Sequence, residues 1–135
     1  MRIEVPSLLI TDDDRDFRET LRDALTPRGF RALVAGDGQE ALDIIQRECV
    51  HLLLLDMHMP RLTGLETIRR VKQIDVTLPC ILMSAAVDDR LAEEARQAQA
   101  YWVLSKPVLF HEVTRIVCSA LHATYDWPAA DACRR

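Results

Sequence analysis

The sequence predicts an α/β domain, a five-stranded parallel sheet wound on both sides by five helices. Short apolar runs alternate five times with segments whose apolar residues recur at helical spacing. The runs are apolar nearly throughout, as expected of parallel strands buried on both faces. Right-handed crossovers then place helices on both sides of the sheet. At 135 residues, 49% hydrophobic and 28% charged, the chain suits one soluble domain that closes a single core.

Each element follows from a local signal. "SLLIT" (7–11) is the first strand. Phe17, Leu21, Ala24 and Leu25 form a helical stripe, which Pro27 and Gly29 end. "RALVA" (31–35) is the second strand, and Ala41, Leu42, Ile44 and Ile45 share one face of the second helix. "HLLLL" (51–55) is the third strand. A loop with Pro60 and Gly64 leads to a helix through Leu65, Ile68 and Val71. "PCILM" (79–83) is the fourth strand, followed by a polar helix with Leu91, Ala92, Ala95 and Ala98 inward. "YWVLS" (101–105) is the fifth strand, and Val113, Ile116, Val117, Ala120 and Leu121 line the last helix. The domain is expected over 5–124, with 125–135 as a loosely packed tail lacking a period. So short a tail holds no effector domain, which leaves a stand-alone module or a piece of a longer chain.

Composition removes several function classes. The net charge is -4, with no basic tract, so neither nucleic acid nor an anionic membrane is an expected partner. Cys49, Cys80, Cys118 and Cys133 are scattered without a C-x-x-C pair. That argues against a zinc site or a disulfide framework, and for reduced thiols, three in the core and one in the tail. The N-terminal apolar stretch is too short for a signal peptide, and no segment approaches the length of a membrane helix. A cytoplasmic protein is expected.

An open parallel sheet collects its chemistry at the carboxyl ends of its strands. Those ends carry Asp12 and Asp13, then Asp56, then Ser84, then Ser105 and Lys106. In a flavodoxin-like strand order 2-1-3-4-5, strands one and three are neighbours at the switch point. Three carboxylates then crowd one crevice, with a hydroxyl and an ammonium opposite. Two carboxylates about 5 Å apart repel by about 3 kcal/mol at an effective dielectric near 20. One lysine does not balance three such groups, and a hard divalent cation with oxygen ligands does. Mg²⁺ suits the task, held by Asp12 and Asp13 beside Asp56 as a nucleophile for a phosphoryl group. Lys106 would pair with one phosphoryl oxygen and the Ser84 hydroxyl with another.

Each piece alone has a plainer explanation. An Asp run after a strand is often a helix cap, a role expected of Asp14. A lone Asp in a D-x-x-x-P loop is commonly a turn residue. Their joint occurrence on four correctly ordered strand ends favours the site.

The stretches "LLITDDD", "LLLLDMHMPRLTGLE", "ILMSA" and "LSKP" make the chain resemble a response-regulator receiver domain of bacterial two-component signalling. The resemblance covers about 5–124. It implies phosphoryl transfer to Asp56 from a sensor histidine kinase or a phosphotransfer protein. It implies Mg²⁺ at Asp13, Asp56 and the backbone carbonyl of His58, with Asp12 acting through a water. It implies Ser84 and Lys106 on the phosphoryl oxygens, and a cis Lys106–Pro107 peptide. It further implies a downstream protein target and a homodimer, both through the fourth helix, fifth strand and fifth helix. The expected role is a phosphorylated switch rather than an enzyme.

Some positions depart from that pattern. Val103 stands where an aromatic reporter of phosphorylation is usual. Tyr101, two residues earlier, is expected on the same side of the strand and could substitute, or could simply cover the sheet edge. Trp102 replaces a polar residue, as a partner contact or under the tail, and "QA" (99–100) replaces "GA". Thr63 replaces a frequent Asp as ordinary turn variation. The His58 side chain is expected to hang over the site as a half-exposed gatekeeper. His51, His111 and His122 have no evident partners. Two alternatives remain, a phosphorylation-independent interaction module and a small Mg²⁺-dependent aspartyl phosphotransferase. The intact Asp12, Asp13, Asp56, Ser84 and Lys106 set argues against the first. His58, where such enzymes commonly carry an acid, argues against the second.

Overall fold

The computed structural model describes residues 3–127. Strands β1 (Ser7–Thr11), β2 (Arg31–Ala35), β3 (Leu52–Asp56), β4 (Cys80–Ser84) and β5 (Trp102–Ser105) alternate with five helices. These are α1 (Arg15–Leu25), α2 (Gly38–Arg47), α3 (Gly64–Ile74), α4 (Asp89–Gln97) and α5 (Phe110–Tyr125). All pairings are parallel, in the order β2-β1-β3-β4-β5, as predicted. The third, fourth and fifth strands each begin one residue later than the sequence pattern suggests.

The strand alternation sorts the core into two layers. Leu53 and Leu55 of β3, with Leu9 and Leu82, pack against Ala41 of α2, Ile68 of α3 and Ala95 of α4. Leu52 and Leu54, with Leu8, Ile10 and Ile81, pack against Leu21 of α1 and Val117 of α5. The four leucines are wholly buried because β3 lies mid-sheet with helices on both faces.

Helix starts rest on short side chains that accept from otherwise unpaired backbone N–H groups. Asp14, Asp37, Thr63 and Asp88 cap α1, α2, α3 and α4 in this way. Thr63 is more than turn variation, since with Glu66 it forms a full reciprocal capping box. Along α4 and its C-cap, Leu91, Ala95 and Ala98 are buried but Ala92 is exposed, because it falls off the i, i+4, i+7 stripe.

Four further expectations need correction. Tyr125 ends α5, and Trp127 is buried against Phe30 with ring centroids 5.5 Å apart, so these two residues of the expected loose tail are packed. The remaining tail residues, 128–135, lie outside the described residues. His51 has partners: its Nδ1 accepts from Ser7 N–H at 2.9 Å, and its ring meets Tyr125 edge-on. The Tyr125 hydroxyl donates to the His51 carbonyl at 2.8 Å. His122 pairs loosely with Asp126 at 3.8 Å. Among the cysteines, Cys80 is buried but Cys49 is exposed, both as free thiols. Cys133 lies outside the described residues.

The fourth correction concerns Tyr101. It precedes β5, after a turn in which Gln99 takes a left-handed φ of 66°. That conformation is disfavoured for a residue with a side chain, and glycine occupies it at no such penalty. Because Tyr101 stands before the regular pleat, it departs from the strand's alternation. It packs with the α1 and α5 layer and its hydroxyl meets Ser119 of α5 at 2.7 Å. Val103 packs with the opposite layer. Trp102 is 52% exposed, and the buried Trp127 packs on Phe30 instead of covering it.

Candidate functional site

The site forms where β1, β3, β4 and β5 end. Parallel register places Thr11 beside Leu55, Asp56 beside Met83, and Ser84 beside Ser105. Asp12 follows β1, and Asp56 closes β3. Asp12, Asp13 and Asp56 each present a carboxylate oxygen within 4.8 Å of the others. Asp12 and Asp56 are buried, while Asp13 is exposed.

Lys106 is the counter-charge. Its Nζ donates to Asp12 Oδ2 at 2.9 Å and stands 2.8 Å from Asp56 Oδ1. One ammonium against three carboxylates leaves two negative charges unbalanced. Hard oxygen donors clustered this closely fit Mg²⁺. The electrostatics follow from burial and pairing. Burial raises the Asp12 pKa, only partly offset by the hydrogen bonds from Lys106 and Asp14, and the nearby Asp56 charge adds to the rise. Burial of Lys106 opposes its charge, but hydrogen bonds to Asp56 and Asp12 outweigh it and raise the lysine pKa.

Backbone contacts hold each group. Asp56 Oδ2 accepts from the His58 N–H at 3.0 Å. The His58 side chain is exposed. Asp12 Oδ1 accepts from Asp14 N–H at 2.9 Å. Ser84 is buried, and its Oγ accepts from Ala86 N–H at 3.1 Å. The Lys106 N–H donates to the Ser84 carbonyl at 2.8 Å, and the Lys106–Pro107 peptide is cis. Gly64 N–H donates to the Met57 carbonyl, tying the start of α3 to the Asp56 loop.

Two contributors escape a reading by residue type. Arg18 donates from Nη1 to the Asp12 carbonyl at 2.7 Å, bracing the acidic loop from α1. Phe17 reads only as part of an apolar stripe, yet Lys106 Nζ stands over its ring, 4.4 Å from the centroid. A groove of about 450 Å³ opens beside them, lined by Phe17, Leu21, Lys106, Pro107, Val108 and Phe110. No local sequence signal announces either contact, because both join α1 to groups outside it.

The family model for the response regulator receiver domain matches residues 8–117. "Response regulator MprA" of Mycobacterium leprae is 35% identical over 127 residues, covering 93% of this chain and 55% of that protein. The protein of the same name from Mycobacterium avium is 37% identical over 119 residues, covering 87% of this chain and 51% of that one. The chain thus spans about half the length of the curated relatives it matches. A response regulator receiver domain protein from Clostridium thermocellum superposes with a TM-score of 0.84 at 25% identity, covering 88% of this chain and 96% of that one. A receiver protein from Methanospirillum hungatei, at 20% identity, shares the fold with a TM-score of 0.86 over 90% of this chain and 98% of its own.

Proposed function

The chain belongs to the response regulator receiver family, and from that premise we propose that Asp56 accepts a phosphoryl group from a phosphohistidine of a sensor kinase or phosphotransfer protein. The observation that carries this reading is the triangle of Asp12, Asp13 and Asp56 carboxylates with Lys106 bridging two of them. An Asp56 carboxylate oxygen forms a bond to phosphorus as the bond from phosphorus to the donor's imidazole nitrogen breaks, and the imidazole leaves with the bonding pair. Lys106 keeps its charge at neutral pH and meets one phosphoryl oxygen. The Ser84 hydroxyl, already fixed as an acceptor from Ala86, is free to donate its proton to another. Asp13, Asp56 and the His58 carbonyl would hold Mg²⁺, with Asp12 behind a water. The bound ion supplies charge neutralisation and alignment of the phosphoryl group.

The unit is a phosphorylated switch rather than an enzyme turning over a small substrate. It comprises residues 5–124, with Tyr125 and Trp127 packed on it. Its output runs through the face of α4, β5 and α5, to a downstream protein or a second copy. No helix among the described residues is long and apolar enough to cross a membrane. That fits a cytoplasmic encounter with the kinase. Incubation with Mg²⁺ and a small acyl-phosphate donor, followed by intact mass measurement, tests the reading. Wild type should gain one phosphoryl adduct and Asp56→Asn none. A wild type that gains no adduct and binds no beryllofluoride would sink it.

A further inference from the structure

We propose that Phe17 is a positioning residue for Lys106, holding the ammonium by its ring face while leaving its N–H groups free for a phosphoryl oxygen. The inference rests on the phosphoacceptor reading of Asp56. The Lys106 Nζ lies 4.4 Å from the Phe17 ring centroid, within the range of a cation–π contact. The remaining partners of that ammonium are Asp12 and Asp56, both acceptors of its protons. A phosphoryl group on Asp56 would replace the lysine's contact with a bare carboxylate oxygen, so that partner changes during the reaction. The Phe17 ring does not change. It attracts a cation through its quadrupole, but it carries no net charge and takes no conventional hydrogen bond from the ammonium. It therefore confines the lysine without competing with the phosphoryl oxygens.

The backbone that carries the ring is itself held by the acidic loop. Asp12 Oδ1 accepts from Asp14 N–H, and Asp14 Oδ1 accepts from Phe17 N–H at 3.2 Å. Phe17 then faces Lys106, which donates back to Asp12 Oδ2. The four residues close a ring of contacts: the cap that starts α1 also sets the aromatic face against the lysine. An aliphatic side chain at 17 would keep the packing and lose the attraction.

The test separates phosphoryl recognition from metal binding and from folding. Beryllofluoride and Mg²⁺ affinities are measured by calorimetry for wild type, Phe17→Leu, Phe17→Met and Phe17→Tyr, with thermal melts as a fold control. Phe17→Leu and Phe17→Met should bind beryllofluoride about three- to tenfold more weakly at saturating Mg²⁺. Their Mg²⁺ affinity should stay within about twofold, because the lysine is no metal ligand. Phe17→Tyr, which keeps the ring face, should restore beryllofluoride binding. Equal beryllofluoride affinity across all four proteins overturns the inference alone, as does a Phe17→Tyr loss as large as that of Phe17→Leu. A matching loss of Mg²⁺ affinity also overturns it, by showing general damage to the site. Wild type that binds Mg²⁺ but no beryllofluoride overturns the phosphoacceptor reading and this inference with it.

Discussion

Gly64 lies against the main chain of Asp56 so closely that a Cβ at position 64 would stand 2.5 Å from the Asp56 carbonyl oxygen. The same Cβ would come 2.6 Å from Leu82 Cδ1 and 2.9 Å from Met57 Cα. Two of the three obstacles are backbone and cannot rotate away. Gly64→Ala should therefore destabilise the fold by ~1–3 kcal/mol, the usual range for overpacking. The strain falls on Asp56, the proposed acceptor, so the rate of adduct formation should drop as well. Urea unfolding and a mass time course on one preparation check both, and an Ala variant of unchanged stability would contradict the close approach.

Lys106→Met removes the ammonium and keeps much of the stem. Three carboxylates are then left without their lysine, two of them buried. Mutual repulsion should rise, so Mg²⁺ should bind more tightly and raise the melting temperature further than it does for wild type. Phosphoryl transfer should move the other way, slowing by ~10²-fold, the typical effect of losing one donor to developing charge. Calorimetry with Mg²⁺ and timed intact mass should show these opposite changes, whereas loss of both would indicate a misfolded pocket.

His51 predicts a pH dependence far from the acidic cluster. Its Nδ1 accepts from Ser7 N–H, which requires that nitrogen to be unprotonated. Burial lowers its pKa from the ordinary 6.5. The unfolded chain thus binds the proton first as pH falls, so this group's contribution is full above about pH 6.5 and is lost as pH drops through its folded value. Stability in urea, measured from pH 7.5 to pH 5, should decline more for wild type than for His51→Asn, which keeps an acceptor near Nδ1 and does not titrate. His51→Leu strands the Ser7 N–H and should lose about 1–2 kcal/mol at pH 7.5.

Trp127 should behave as a core residue although it lies beyond the last helix. It is only 7% exposed and meets Phe30 at 5.5 Å. Trp127→Ala should cost ~3 kcal/mol, in the range for deleting a large buried ring. Trp102→Ala, by contrast, removes a half-exposed ring and should shift stability by less than about 1 kcal/mol. Melting curves that rank the two variants the other way would refute this assignment.

Much of this was legible because its cause is local. Apolar runs, helical spacing and Pro or Gly punctuation act within a few residues, so the βα order, the parallel sheet and its strand ends can be read in sequence. Asp12, Asp13, Asp56, Ser84 and Lys106 stood out for the same reason, each adjoining the end of an apolar run. Even the capping box is written there, in "TGLE", although Thr63 by its position alone reads as turn variation.

What the tertiary structure alone decided involves partners distant along the chain. His51 meets Ser7 across 44 residues, and Tyr125 reaches back 74 to the His51 carbonyl. Tyr101 left the side predicted by alternation because it precedes the pleat and bonds across to α5. Phe17 is indistinguishable from a core aromatic until the β5–α5 turn brings Lys106 over its ring. The sequence by itself determined the order of elements and the chemistry available at the strand ends, since both follow from short-range pattern. Which side chain faces which ammonium, imidazole or ring depends on how the elements pack in space, and no spacing along the chain encodes that.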